Sequence, residues 1–511
     1  MKQNNFYVTT PIYYPSGKPH MGHAYSSIFA DVFARFKRND KYKVYFLTGT
    51  DEHGLKIQKA AERDGSNPLI YCDKISKIFK DLTKKLNLSN NDFIRTTEKR
   101  HFKSVTAVWN RLVKSGDIYL SKYKGWYSVS DEAYYNSDEI IEKNGKKYST
   151  FSGSIVEWVE EESFFFKLSS WQERLLEFYD KNDKFILPIS RRNEVINFVK
   201  SGLKDLSVSR TSFTWGIKVP NNHKHVIYVW LDALTNYISA LNFPSTNDKL
   251  YKNFWPATLH VIGKDILRFH AIYWPAFLLA AKIKPPSRIY GHGWILSGEE
   301  KMSKSKGNIL NPLEVVKKYG VDELRYYLMK EVPHGSDGNI SLKNLENCIN
   351  SDLANNYGNL CQRVFSFVKN NCKNKVSKTK NISDADKKLI TQTKALTNDL
   401  RNLMDSQNLN NYIKSVINIS FLTNKYINDE EPWKLKKNNI EKMNNILHLA
   451  LEQIAKISIL LNPIIPEKSL KVLDALNINT DLRNLAFLDG RNVIGDEIKI
   501  EKLDILFKKI A

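Results

Sequence analysis

Pro19-His20-Met21-Gly22-His23 is the stretch that decides how this chain folds. It lies between a strand-like apolar run, Phe6 to Thr10, and the run Ala24 to Phe36, where Tyr25, Ile28, Phe29, Val32, Phe33 and Phe36 recur at helical spacing. A strand that turns into a helix is a natural anion site, because N–H groups and the helix dipole point at the turn. Gly22 lets the backbone come close. His20 and His23, three residues apart at the helix start, lie near one face and can both donate hydrogen bonds to phosphate oxygens. Taken alone, such a histidine pair is equally well a surface feature.

Working outward, Lys43 to Leu47 is a second apolar strand that ends in Thr48-Gly49-Thr50-Asp51-Glu52-His53-Gly54, followed by a helical run to Asp64. This βαβ grammar predicts an α/β fold with a Rossmann-like parallel sheet whose ligands sit at the carboxyl ends of the strands. From about 116 to 224 the grammar changes to aromatic and β-branched strands around Gly125 to Val129 and Ile155 to Phe166. Helical segments follow around Trp171 to Tyr179 and Asn193 to Leu203. The reading is an insertion that splits the sheet domain, which resumes at Val226 to Trp230 and continues through Leu259 to Ile262 and Tyr290 to Trp294. The expected division is therefore 1–115 and 225–295 for the two halves of the sheet domain, 116–224 for the insertion and 296–343 for a loop region. Residues 344–511 are expected to form an all-helical bundle, with runs at Ile349 to Val368, Leu389 to Leu403, Tyr412 to Tyr426 and Ile446 to Leu461. Lys373 to Asn381 reads as a polar linker inside it.

The loop region carries the second informative motif, Lys301-Met302-Ser303-Lys304-Ser305-Lys306-Gly307-Asn308. Its lysines supply mobile point charges for the negative charge that builds on a phosphate under attack. In a lysine-rich chain such a run is also what a solvated loop looks like. The two motifs in this order and context read together as a nucleotide-activating site.

The chain has 77 Lys and Arg against 55 Asp and Glu, a net charge of +22, which fits a polyanionic partner. The abundance of lysine throughout fits a coding bias equally well. No apolar stretch approaches the length a bilayer demands, and the strand pattern begins within about five residues of the start, which leaves no room for a leader. A cytoplasmic protein with no membrane contact is expected. Cys72, Cys348, Cys361 and Cys372 show no Cys-x-x-Cys spacing and read as reduced thiols.

The two motifs resemble the HIGH and KMSKS signatures of class I aminoacyl-tRNA synthetases, and their surroundings resemble the methionyl-tRNA synthetases from Phe6 to about Leu461. The resemblance implies a ligase that activates methionine with ATP and Mg²⁺ and transfers it to the 3′ end of tRNA(Met). It assigns ATP binding to His20, Gly22, His23, Gly263, Asp265, Lys301 and Lys304, with His20, His23 and Lys304 as the catalytic groups. Asp265 is also well suited to be a helix N-cap. A thioether offers little to hydrogen-bond, so its pocket must recognise shape and polarizability. The resemblance places Ile12, Tyr14, Trp230, Ala233, Tyr237, Ile266, His270 and Trp274 there, with Asp51 on the α-amino group. Aromatic residues near a sheet, and a lone histidine such as His270, read by themselves as core residues. Asn355, Asn359 and Arg363 fall on one helical face, and with Trp433 they match positions that read the CAU anticodon. Pro432 and Trp433 also suit a helix start and a core anchor.

One departure stands out. Many relatives begin a zinc knuckle with Cys-x-x-Cys where this chain has Ser128-Val129-Ser130-Asp131. No structural zinc is expected, nor any other protein-bound metal, and the insertion is expected to hold its shape by packing alone. A monomer is expected, since no appended tRNA-binding domain follows the bundle. Two rivals remain: another class I synthetase, disfavoured by the absence of large editing insertions or thiolate-rich zinc ligands, and an RNA-binding protein on an inactive synthetase scaffold, disfavoured by the intact histidine and lysine motifs.

Overall fold

The computed structural model describes residues 4–15, 17–131, 133–135, 137–297, 300–301, 311–379 and 381–510. Its centre is a six-stranded parallel sheet. In chain order the strands are β1 (Asn5–Tyr13), β2 (Lys43–Thr50), β3 (Asp92–Arg95), β4 (Ile186–Leu187), β5 (Leu259–Gly263) and β6 (Ile289–His292). Their spatial order is β3-β2-β1-β5-β6-β4. Tyr7 pairs with Tyr45 on one side of β1, while Val8 pairs with Leu259 on the other. The chain thus leaves β1 first in one direction and later in the other, and the carboxyl ends of β1 and β5 flank the switch point where open α/β sheets bind ligands.

Helix α1 (Met21–Asn39) is apolar around most of its circumference because it is covered twice. The sheet lies on one side, and α2 (Val321–Glu331) with the C-terminal bundle lies on the other. Phe29, Phe33 and Phe36 share one continuous core with bundle residues such as Tyr412, Ile454 and Leu460. A buried ion pair crosses this joint: the Arg325 guanidinium donates to Asp31 Oδ2 at 2.7 Å and to the carbonyls of Pro463 and Ile464, both at 2.8 Å. Burial alone would raise the Asp31 carboxyl, but Arg325 and Arg35 hold it below its ordinary range. The opposite face of the sheet packs on a second core that includes Trp109, Phe166, Tyr179, Tyr237 and Trp274.

The bundle is built from a helical run over 342–371, a helix at Asp384–Thr397, and the long helices α3 (Leu409–Glu430) and α4 (Ile440–Leu461). The first of these is π-helical over Ile349–Gly358 before it returns to α geometry.

Three expectations are corrected. The run read as Val226 to Trp230 in the parallel sheet is a strand, Asn222–Ile227, in a separate antiparallel sheet, followed by a short helix, Val229–Leu234. Both environments bury apolar residues, so hydrophobicity could not separate them. Lys373 to Asn381 is not a free linker, because Lys375–Ser377 pairs antiparallel with Glu497–Lys499 near the end of the chain. The insertion does not rest on packing alone. Asp131 accepts hydrogen bonds from Tyr135 and Ser154, both at 2.8 Å, and from Ser152, while its own N–H donates to Ser128. That hub of hydroxyls around one carboxylate does not suit zinc, which takes thiolates and imidazoles.

Candidate active site and anticodon groove

At the carboxyl edge of the sheet, β1 leads directly into the histidine motif. His20 is the N-cap of α1. Its Nδ1 accepts from the Gly22 N–H at 3.1 Å, and His23 Nδ1 accepts from the His20 N–H at 3.0 Å, a reciprocal capping box made by two imidazoles. The rings lie 3.8 Å apart, and a Cβ on Gly22 would come within 3.0 Å of His20 Cε1, so glycine is what lets the first ring fold over the turn. This corrects the expectation that helix amides meet the anion. The Gly22 and His23 N–H groups are thus engaged within the turn, the latter with the His20 carbonyl, and Nε2 is the N–H side of each ring. The Ser26 hydroxyl contacts both the Gly22 carbonyl and His292 Nε2, at 3.1 and 2.7 Å, tying the motif to the end of β6.

Gly263 closes β5, and a Cβ there would meet Asp265 Oδ1 at 2.5 Å. Asp265 lies exposed one residue inside a short 3₁₀ turn and makes no side-chain cap, which removes its N-cap reading. Trp294 Nε1 donates to it at 3.3 Å, and Lys264 lies over that indole while pairing with Asp337. Lys301 is described through its backbone, which pairs with Leu296. Lys304 lies outside the described residues.

Ile12, Tyr14 and Trp230 pack together against Tyr228, Val229 and Ala233. A register shift in β1 between Thr9 and Ile12 turns the end of the strand towards this cluster. Trp230 stacks on Phe269 at 3.5 Å. Behind it, Tyr237 and His270 are joined by a 2.7 Å hydrogen bond, with Trp274 fully buried beside Tyr237. The Ile266 carbonyl accepts from His270 Nδ1 at 2.9 Å, so His270 Nε2 accepts from the Tyr237 hydroxyl. Burial pushes His270 down to about 4, so this ring is neutral near pH 7.

Asp51 is buried in the turn after β2, where its N–H donates to the Tyr13 carbonyl. Neighbours clamp the turn. Arg95 forks both oxygens of buried Glu52, Trp215 Nε1 donates to the Glu52 carbonyl, and His53 Nδ1 contacts Asp232 Oδ2 at 2.7 Å. Asp232, His101 and Phe269 were missed in the sequence, and His53 was placed only within the strand-end turn Thr50 to His53. Phe269 had a signal in its position beside His270.

The bundle presents a separate groove of about 510 Å³ between the π-helical segment and α3. Asn355, Asn359 and Arg363 line one wall and Asn424 and Asn428 the other, with Phe421 60% exposed beside them. Arg363 donates to Asn428 at 2.8 Å and lies 5.9 Å over the ring of Trp433. Pro432 is buried at a helix start, whereas Trp433 is 41% exposed, which sets aside its core-anchor reading. The α3 side of this groove had no motif to reveal it.

The family model described as tRNA synthetases class I (M) matches residues 6–146 and 142–365, and the anticodon binding domain of methionyl tRNA ligase matches 376–511. The chain belongs to the methionyl-tRNA synthetase family. It is 47% identical to the methionine–tRNA ligase of Brucella suis over 95% of this chain and 94% of that one, and 49% identical to that of Rickettsia typhi over 99% and 100%. Mycobacterium tuberculosis methionyl-tRNA synthetase in complex with methionyl-adenylate superposes with a TM-score of 0.96 at 42% identity, covering 99% of this chain and 100% of that one. The free form of that synthetase superposes with a TM-score of 0.88 at 39% identity, covering 100% and 99%. No helix among the described residues is long and apolar enough to cross a membrane.

Proposed function

We propose that this member of the methionyl-tRNA synthetase family divides its work among the residues at the switch point and in the bundle groove as follows. The carboxylate of bound methionine attacks the α-phosphorus of ATP in line, forming methionyl-adenylate and releasing pyrophosphate. The terminal ribose hydroxyl of tRNA(Met) then attacks the acyl carbon. Both nucleophiles belong to substrates, so the protein's contribution is position and charge stabilisation. ATP enters as its Mg²⁺ complex.

His20 and His23 present Nε2–H groups to the triphosphate, and Lys301 and Lys304 close over it from the loop. Gly263 and Asp265 hold the ribose, where glycine admits the ligand and the exposed carboxylate accepts its hydroxyls. Asp51 pairs with the α-ammonium, an interaction strengthened by exclusion of water. Ile12, Tyr14, Trp230 and Ala233 form the near wall for the thioether chain, and Tyr237, Ile266, His270 and Trp274 form the far wall. Asn355, Asn359 and Arg363 read splayed-out anticodon bases, and Trp433 stacks on one. One chain carries both faces, so a monomer is the working unit. Its place is the cytoplasm, where ATP, methionine and ribosomes meet.

The observation that carries this reading is the convergence of the ends of β1, β2 and β5 at one switch point. Pyrophosphate exchange into ATP, run against all the standard amino acids and homocysteine, tests it. Methionine should dominate, with homocysteine detectable because one methyl group in an apolar pocket is worth only about 1–3 kcal/mol. Exchange driven better by another amino acid would refute the assignment of the pocket.

A further inference from the structure

Asp232 is fully buried and is not among the residues assigned to the pocket above. Its two oxygens face two imidazoles: Oδ2 meets His53 Nδ1 and Oδ1 meets His101 Nε2, each at 2.7 Å. His101 in turn contacts the Ser239 hydroxyl at 3.0 Å. This arrangement suits an ionised carboxylate, each of whose oxygens accepts from a ring N–H. Burial by itself would raise its pKa, but His53 and His101 hold it down at about 2.

The placement of this hub is informative. Asp232 belongs to the short helix Val229–Leu234, which also carries Trp230 and Ala233 of the thioether wall. His53 belongs to the turn that carries Asp51, two residues before it. His101 is fixed in the helix Lys99–Lys114, part of the rigid layer behind the sheet. One buried carboxylate therefore joins the element that would recognise the methionine side chain to the element that would hold its ammonium.

We infer that Asp232 is a positioning residue for methionine, setting the distance between the Asp51 carboxylate and the thioether wall through its bond to His53. The inference rests on the assignment of Asp51 to the ammonium. Glu52 and Trp215 anchor the same turn, but they bind it to β3 and to the insertion side rather than to the pocket helix. The His53 bond runs directly from the Asp51 turn to the pocket helix. In Asp232→Asn, one oxygen becomes an N–H donor that opposes an imidazole N–H, so one of the two bonds is replaced by repulsion.

The test is methionine-dependent pyrophosphate exchange by Asp232→Asn, His53→Ala and Asp51→Ala, and by each of the first two combined with Asp51→Ala. In the first two, KM for methionine should rise roughly tenfold to a hundredfold, as expected for a misplacement of about 1 Å, while KM for ATP holds. Added to Asp51→Ala, either change should raise the methionine KM little further, because the group being positioned is already gone. Should Asp232→Asn fail to fold, His53→Ala reads the same arm with the bond from Asp232 to His101 intact. Equal rises in both KM values, or losses that multiply with Asp51→Ala, would show a general structural role and overturn the inference. If Asp51→Ala raises the methionine KM and neither other variant does, the inference alone falls. If Asp51→Ala has no effect, the ammonium assignment falls and takes the inference with it.

Discussion

Trp433→Ala separates tRNA recognition from amino-acid activation, because the ring stands beside Arg363 of the bundle groove while the adenylate chemistry is assigned to the sheet edge. The indole is 41% exposed and carries Arg363 on its face at 5.9 Å. Truncating a residue that exposed should change folding stability by only about 0.5 kcal/mol, whereas the same change in a packed core costs about 3–5 kcal/mol. Stacking of one unpaired base on an aromatic ring is worth about 1–3 kcal/mol, which lowers the efficiency of charging by roughly five- to 150-fold. Pyrophosphate exchange should stay near the wild-type rate, since no residue of the first step moves. Exchange, tRNA charging and urea unfolding are measured on one preparation. Full charging by folded variant would refute the stacking role, and a loss of several kcal/mol in stability would restore the core-anchor reading.

Lys304→Ala should slow adenylate formation by the equivalent of about 2.7–4 kcal/mol while methionine affinity changes little, as pre-steady-state kinetics at saturating methionine will show. Arg325→Met should destabilise the protein by about 3–5 kcal/mol, because it leaves Asp31 charged and buried and strands the Pro463 and Ile464 carbonyls. Urea unfolding near wild-type midpoints would show that the joint does not depend on that pair. Burial pushes Asp322 from 3.8 up to about 6, so at high pH its ionised form costs about 3 kcal/mol at roughly 1.4 kcal/mol per pH unit of difference. A raised carboxyl pKa means the folded state binds the extra proton, so the cost is absent below 3.8 and complete above 6. The stability of Asp322→Asn relative to wild type should therefore improve by about that amount between pH 4 and pH 8, and a pH-independent difference would refute the burial effect.

How much was legible depends on where the signal lies along the chain. The histidine motif, the Asp51 turn and the Gly263–Asp265 turn each sit where a recognisable strand ends, and the physics of a parallel sheet sends all such ends to one edge. The site could therefore be assembled from short local patterns, without any long-range contact being seen. What failed was whatever depends on partners far apart in sequence. His53 meets Asp232 across 179 residues and Asp31 meets Arg325 across 294, and nothing in the local grammar of either partner marks the pairing. Val226 to Trp230 looked like a strand of the parallel sheet because burial is the same in either sheet. Asn355, Asn359 and Arg363 line one groove although the backbone is π-helical at Asn355 and α-helical at the other two, so ideal α spacing does not account for the alignment. The amides on α3 that complete the groove are indistinguishable in composition from any asparagine-rich surface. They acquire meaning only because α3 packs beside that face, and packing is decided by the buried side of the helix rather than by the residues that line the groove. Local patterns and the family resemblance thus proposed the groups assigned to substrate, while the groups that hold them in place were visible only in the fold.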